Sequence, residues 1–161
     1  MTTEFYTLLS ALSAEFGPTG CECRVAALLE NELSGLCDCS RDRMGSLICH
    51  LPGKGEKLLL VAHMDEAGFM VTDIDDKGYL RIAPTGNADP ACFLGKHLTV
   101  GNETVLLKGI GGGKVLHLTS GAERADSPSF DKLFIDLGFQ NKEEAEKQIE
   151  KGDFAAYSGG L

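Results

Sequence analysis

The chain opens with two stretches in which hydrophobic residues recur at the spacing of an amphipathic helix. The first covers residues 3–16 and is stopped by Gly17-Pro18, and the second covers residues 22–33 and ends before Gly35. The pattern therefore predicts two helices that each bury one face. Their apolar stripes are Phe5, Leu8, Leu9, Leu12 and Phe16 in the first helix, and Val25, Leu28, Leu29 and Leu33 in the second.

Three short strands are predicted to follow, at residues 36–41, 46–51 and 57–62. The third contains Leu58-Leu59-Leu60-Val61-Ala62, an apolar run with no polar interruption. Such a run suits a strand that is buried on both faces, as in the parallel sheet of an α/β protein. The order of helices and strands indicates the first part of an α/β layer.

The pattern changes from Gly68 onward to short runs that are rich in β-branched and aromatic residues. A helix is predicted at residues 142–151, with Asn141 as its N-cap. This second part of the chain therefore predicts a small β-barrel with one helix. Its expected strands are residues 68–74, 79–83, 97–100, 103–110 and 133–137, the first two joined by a turn at residues 75–78.

Four glycines occur at residues 109–113 and could suggest a phosphate-binding loop. The phosphate-binding pattern ends in Gly-Lys followed by Ser or Thr and opens a helix, whereas Gly113-Lys114 is followed by Val115. We therefore expect a flexible β-turn region here. An acidic cluster at Asp73, Asp75 and Asp76 lacks the spacing of a calcium loop and is expected to be a solvated turn.

Candidate chemistry lies directly after the apolar run, at His63, Asp65 and Glu66. Ligands of open α/β sheets bind at the carboxyl ends of the strands, and imidazole and carboxylate groups are common ligands of zinc and similar metals. Because His63 and Asp65 are two residues apart on an extended chain, both side chains point to the same side. One of them can bind a metal while the other orients it.

The segment from His63 to Val71, His-Met-Asp-Glu-Ala-Gly-Phe-Met-Val, resembles the signature of the tetrahedral aminopeptidase family, which consists of two-metal peptidases. The resemblance extends from about Leu8 to about Phe154, because further blocks occur in the family's order. These blocks are residues 78–84, 94–96, 123–124, 134–138 and 142–145.

The resemblance implies a fold and the roles of two residues. Residues 1–66 would be the N-terminal α/β portion of a peptidase catalytic domain, and residues 67–154 an inserted PDZ-like or β-barrel domain that serves in assembly. Residues 155–161 would be the point at which the catalytic domain resumes. His63 matches a metal ligand, and Asp65 matches the catalytic-site carboxylate that orients this histidine. The complete family protein would hold two divalent ions, zinc or cobalt, in each subunit.

The family's remaining ligands and its general base have no counterpart after Phe154. Zinc sites need at least three protein ligands, so we expect this chain alone to be an inactive, truncated aminopeptidase that binds metal weakly or not at all. It would act on a peptide substrate only if its site were completed. One alternative is a non-catalytic oligomerisation or peptide-binding module built on exposed sheet edges of the barrel domain, and another is a protein that binds a single metal ion at His63. His50, His97 and His117 are not expected to be ligands.

The apolar composition of the predicted strand at residues 58–61 also predicts that the chain associates with another chain. Leaving several such side chains exposed costs several kcal/mol at about 25 cal/mol per Å² of apolar surface, which is comparable with the net stability of a domain, roughly 5–15 kcal/mol. We therefore expect residues 1–66 to be rearranged, protected in a homo-oligomer or covered by another chain.

Charge and composition limit the classes of binding partner and the cellular location that we expect. The 161 residues carry a net charge of −9 at pH 7, which argues against nucleic acid and anionic membranes because both attract clustered Lys and Arg. No apolar stretch approaches the roughly 20 residues of a membrane span, and the N-terminus lacks the features of a signal peptide. We expect a cytoplasmic protein.

Six cysteines raise the question of a zinc site. A four-thiolate site is the functional alternative, but structural zinc usually takes cysteines separated by two to four residues. A Cys-x-Cys pair on a strand would also hold its sulfurs at a separation awkward for chelation. We therefore expect reduced thiols that pack as small hydrophobic groups. The four candidate ligands are Cys21, Cys23, Cys37 and Cys39.

Overall fold

The computed structural model describes residues 3–114 and 129–159. The block at residues 123–124 and the position of His117 lie outside the described residues. No helix in the described part of the chain is long and apolar enough to cross a membrane.

The N-terminal part contains the two predicted helices and a hairpin. Helix α1 spans Thr3–Ala14 and helix α2 spans Cys23–Glu32. Helix α2 buries Val25 and Ala26, whereas no residue of α1 is buried. Strands β1 (Asp38–Arg41) and β2 (Leu47–His50) pair in an antiparallel hairpin and form a sheet of their own.

Six strands form a closed barrel in the order β3-β4-β7-β6-β5-β8. Its pairings are all antiparallel, and β8, which the sequence did not predict, closes it between β3 and β5. The predicted small barrel is therefore present. The strands are β3 (Gly68–Ile74), β4 (Leu80–Thr85), β5 (His97–Gly101), β6 (Leu106–Gly113), β7 (Leu133–Asp136) and β8 (Phe154–Tyr157).

The predicted hairpin turn after β3 and the predicted cap of the barrel helix both have clear physical causes. A carboxylate oxygen of Asp75 accepts hydrogen bonds from the backbone N–H groups of Lys77 and Tyr79, and Gly78 takes the positive φ that the turn requires. Asn141 caps helix α3 by accepting from the N–H of Glu144. This helix spans Lys142–Ala145 and is shorter than the sequence predicted.

The glycines at residues 109–113 lie in strand β6, so the prediction of a flexible turn region was wrong. The reason is steric, because the neighbouring chain leaves no room for side chains. A Cβ at Gly109 would lie 2.8 Å from the carbonyl oxygen of Asp136, and one at Gly112 would contact the ring of Phe134. These glycines permit close packing across the barrel wall.

The barrel core is dominated by aromatic and branched aliphatic side chains. Phe69 lies at its centre, with ring centroids 5.2 Å from Phe93 and 5.5 Å from Tyr157 in edge-to-face contacts. A smaller cluster of Phe16, Cys21 and Ala156 joins the segment between α1 and α2 to strand β8. This second cluster fixes the N-terminal turn against the barrel.

The predicted buried strand at residues 57–62 does not form in the described structure. Residues 58–61 belong to no strand, and their side chains are 83–85% exposed. The expectation of burial was wrong for this chain because no described strand pairs with the segment. We refer to residues 58–61 as the apolar segment.

The barrel extends beyond the limit expected at residue 154. Strand β8 ends at Tyr157, and Leu98 pairs with that residue. The segment of residues 155–157, which was expected to belong to the resuming catalytic domain, therefore forms part of the barrel wall.

Candidate metal-ligand site

A backbone bridge holds the candidate site against the barrel. Glu66 pairs with Pro18 in a parallel bridge, with its N–H donating to the carbonyl of Gly17 at 2.9 Å and its carbonyl accepting from Thr19 N–H at 3.0 Å. Gly68, which begins β3, follows two residues later. The turn between the two helices and the entry to the barrel thus fix the end of the segment that carries His63 and Asp65.

Close packing supports this bridge at two glycines. A Cβ at Gly17 would lie 2.5 Å from a methyl group of Val25 in helix α2. A Cβ at Gly68 would lie 2.7 Å from the Cβ of Pro18. The turn therefore reaches its position only because neither residue carries a side chain.

The side chains of His63 and Asp65 contact each other and lie on the same side of the chain, as their spacing predicted. Nδ1 of His63 lies 2.9 Å from the backbone carbonyl of Asp65 and 3.0 Å from its Oδ1. Because both neighbours are acceptors in the ionised residue, Nδ1 carries the proton and donates it. The lone pair of the neutral ring is then on Nε2, and the side chain of His63 is 86% exposed. This arrangement suits a metal ligand whose ring is held by a carboxylate.

Thr19 completes the support, and sequence reasoning missed it. Its hydroxyl donates to Oδ2 of Asp65 at 2.7 Å, so the carboxylate lies between Thr19 and His63. The turn containing Thr19 was predicted, but nothing local marks this residue as a partner of Asp65. Only the backbone bridge to Glu66 brings the two together.

The two carboxyl groups at this site have pKa values shifted in opposite directions. The hydrogen bond from Thr19 lowers the pKa of Asp65, and the bond with His63 adds to the effect. Burial raises the pKa of the adjacent Glu66, and a backbone hydrogen bond at Gly17 partly offsets this rise. Asp65 is therefore the ionised partner of His63.

The surroundings of His63 fit one metal ligand but not a complete metal site. Across residues 3–114 and 129–159, the one group of three or more potential ligands in mutual reach is a cysteine cluster and does not include His63. Two bound ions would need more ligands than His63 with its orienting Asp65. The described residues around His63 thus supply part of a coordination shell.

The six cysteines are free thiols in the structure, and their grouping differs from the four-cysteine alternative. The structure brings together Cys37, Cys39 and Cys49. Cys21 is buried in the small cluster against strand β8, where burial raises its thiol pKa to about 11. Cys23 is packed against the same cluster.

Comparison with known proteins decides the family. Residues 45–160 match the profile of the M42 glutamyl aminopeptidases. The chain belongs to this family. A curated relative, the putative aminopeptidase FrvX of Escherichia coli, is 34% identical over 150 residues, which cover 91% of this chain and 42% of the relative.

Solved structures of TET peptidases share the fold. The TET aminopeptidase of Thaumarchaeota archaeon SCGC AB-539-E09 matches 99% of this chain and 46% of its own with a TM-score of 0.87 and 27% identity. The TET1 peptidase of Pyrococcus horikoshii, described as assembling into a tetrahedron or a large octahedral shell, matches 94% of this chain and 46% of its own, with a TM-score of 0.84 and 32% identity. The chain thus spans less than half the length of these relatives.

Proposed function

We propose that His63 is a metal ligand in a metallo-aminopeptidase site and that Asp65 is the catalytic-site residue that positions it. The observation that carries this proposal is the chain of contacts from Thr19 through Asp65 to Nδ1 of His63, within a member of an aminopeptidase family. A carboxylate that fixes the histidine ring and its tautomer is the usual support of a metal-binding imidazole.

Each residue has a defined task in this proposal. Asp65 accepts the Nδ1 proton and keeps it there, so that Nε2 presents its lone pair to the ion. Thr19 holds the carboxylate in an ionised state and in one orientation. In the complete site, two divalent ions, zinc or cobalt, would activate water and polarise the scissile carbonyl of an N-terminal peptide bond.

We also propose that a polypeptide of these 161 residues does not hydrolyse peptides by itself. The support is the ligand count around His63 in the described residues, which falls short of the three protein ligands of a catalytic zinc site. Binding at His63 alone is expected to be weak because most of the coordination free energy is lacking.

Cobalt titration followed by NMR tests both proposals. Co²⁺ at high concentration should broaden the imidazole signals of His63 and leave those of His97 sharp, and His63→Ala identifies the His63 signals by their absence from the metal-free spectrum. The same sample should release product from aminoacyl-coumarin substrates no faster than Co²⁺ in buffer does without the protein. Two results would contradict the proposal of a partial, inactive site. One is tight Co²⁺ binding by the wild-type chain that His63→Ala abolishes, and the other is peptide hydrolysis by the wild-type chain that Asp65→Asn abolishes.

We propose further that the N-terminal residues 1–66 belong to an α/β catalytic domain and that the PDZ-like domain expected at residues 67–154 continues to Tyr157, where the barrel wall ends. The free cysteines are compatible with a reducing, cytoplasmic location. The substrate of the assembled protein would be a peptide with a free N-terminus.

A second proposal is association through the apolar segment, whose four side chains are 83–85% exposed. Ile48 and Leu51 are also exposed, which makes a larger hydrophobic face of the kind that marks interaction surfaces. Strand addition at the barrel, considered above, has little support because the barrel sheet is closed. We therefore assign homo-oligomerisation to the apolar segment and not to a barrel edge.

Light scattering during gel filtration tests this assignment. The chain should elute as an oligomer, and Leu58→Glu with Leu60→Glu should shift it toward the monomer. Thr104→Glu, at an exposed loop position, is the control. A monomeric wild-type chain would contradict the association proposal and leave the metal-ligand proposal intact.

A further inference from the structure

The hairpin of β1 and β2 brings three thiols to one face. Cys39 lies directly opposite Cys49 in the register, and Cys37 precedes Cys39 by two residues and therefore lies on the same side. The sulfur atoms of Cys37 and Cys39 are 3.7 Å apart, and those of Cys39 and Cys49 are 3.5 Å apart. All three sulfurs lie within 4.8 Å of one another.

The hairpin geometry explains how close these sulfurs come. The backbone N–H of Asp42 donates to the carbonyl of Ser46 at 3.2 Å, which identifies residues 42 and 46 as a hydrogen-bonded pair. Pairs alternate along an antiparallel ladder, so Cys39 and Cys49 form a non-hydrogen-bonded pair, in which opposing side chains are closest. The turn fixes this register, with Gly45 at positive φ and its N–H bonded to the carbonyl of Asp42.

We propose that Cys37, Cys39 and Cys49 form a binding site for one thiophilic metal ion, Zn²⁺ or Cu⁺, with a further coordination position open to solvent. Thiolate ligands favour these ions. Zinc–sulfur bonds of about 2.3 Å in a tetrahedral arrangement place the sulfur atoms about 3.8 Å apart. The 3.5 and 3.7 Å separations therefore need only a small adjustment to receive an ion.

The positions of the three residues fit binding better than packing. Cys39 is exposed, and Cys37 and Cys49 are half-buried, so none of them fills a hydrophobic core. The Cys-x-Cys separation that was expected to be awkward is 3.7 Å in the structure. His50 pairs with Asp38 and points to the opposite face, which leaves water or a small thiol as the fourth ligand.

Ionisation of Cys37 and Cys49 is disfavoured when no ion is present. Partial burial and the hydrogen bond with Cys39 raise the pKa of Cys49 to about 11, and burial with contact to Cys39 raises the pKa of Cys37. A bound cation would reverse this penalty and release the thiol protons to solvent. Affinity should consequently increase as the pH rises. This inference is independent of the proposed peptidase site.

The test is metal titration of the full chain under a phosphine reductant, with Cd²⁺ as a spectroscopic probe and Zn²⁺ and Cu⁺ as competing ions. One Cd²⁺ per chain should produce a thiolate-to-metal charge-transfer band in the ultraviolet. Each of Cys37→Ser, Cys39→Ser and Cys49→Ser should weaken binding at least about tenfold, and the triple variant should abolish it. Cys92→Ser and His63→Ala should bind like the wild type.

Several results would overturn the site. These are a band that persists in the triple variant, a band that Cys92→Ser removes, or no competition by either Zn²⁺ or Cu⁺. A chain whose intact mass shows six reduced thiols and that nevertheless binds no ion would also overturn the site. Circular dichroism distinguishes lost binding from lost structure, and the hairpin is separate from the barrel sheet, so the variants should keep the barrel.

Discussion

Thr19 and Asp65 are 46 residues apart in the chain, and the hydroxyl of Thr19 donates to Oδ2 of Asp65 at 2.7 Å. This contact connects the turn between the first two helices to the segment that carries His63. It also lowers the pKa of Asp65, so the same hydrogen bond fixes both the orientation and the charge of the carboxylate. The position of the His63 ring therefore depends on a residue far away in sequence.

Replacing Thr19 by Val should remove this hydrogen bond at nearly constant volume. We expect a loss of about 1 kcal/mol in the free energy of unfolding and a rise in the pKa of Asp65. A carboxyl group with a depressed folded-state pKa contributes stability above its unfolded-state pKa, and this contribution is lost as the pH falls through the folded-state value. The deficit of Thr19→Val should therefore be largest near neutral pH and shrink in acid.

Denaturant unfolding at several pH values and an NMR titration of Asp65 measure these two effects. Thr104→Val is the matched control, because Thr104 is exposed and bonds only within its own loop. An unchanged pKa of Asp65 in Thr19→Val would show that another group controls its ionisation.

Glu66 should have the opposite pH dependence. Burial raises its pKa, so the folded state favours the protonated form. Its contribution is fully present below the unfolded-state pKa and is lost as the pH rises through the folded-state pKa. Glu66→Gln keeps a neutral side chain at every pH and should raise the melting temperature at pH 7 while leaving it nearly unchanged at pH 4. Scanning calorimetry at the two pH values checks this, and equal shifts at both would contradict it.

Gly17→Ala should destabilise the turn that carries Thr19. The new Cβ would lie 2.5 Å from a methyl group of Val25, so the helix or the turn must move. We expect a loss of about 1–3 kcal/mol in the free energy of unfolding, together with weaker protection of the Glu66 amide from hydrogen exchange. Gly53→Ala is the control, because nothing lies within 4 Å of its Cβ position. Equal stability of the two variants would mean that the turn tolerates the added methyl group.

Local signals predicted a considerable part of this structure. Helical spacing identified α1 and α2, the turn residues identified the hairpin of β3 and β4, and the alternation of an extended chain placed His63 beside Asp65. These features depend on residues that are close in sequence. Spacing and turn chemistry are enough to determine them.

Features that depend on distant contacts were not predicted. The partner of Asp65 is set by a backbone bridge between Pro18 and Glu66, and Cys49 joins Cys37 and Cys39 only through the register of the hairpin. The apolar segment has the composition of a buried strand, but burial requires neighbours that the segment's own sequence does not specify. Sequence pattern alone therefore identified candidate residues better than it identified their partners.

The glycine-rich strand β6 provides the last prediction. A Cβ at Gly109 would lie 2.8 Å from the carbonyl oxygen of Asp136 in the paired strand, and backbone there has little freedom to move. Gly109→Ala should cost about 1–3 kcal/mol in the free energy of unfolding. The neighbouring Ile110→Ala is the control, since that side chain is half exposed and should cost less than about 1 kcal/mol. Denaturant unfolding of both variants distinguishes a packed strand from a flexible turn at residues 109–113. A flexible turn would tolerate both substitutions, whereas a tightly packed barrel strand should tolerate only Ile110→Ala.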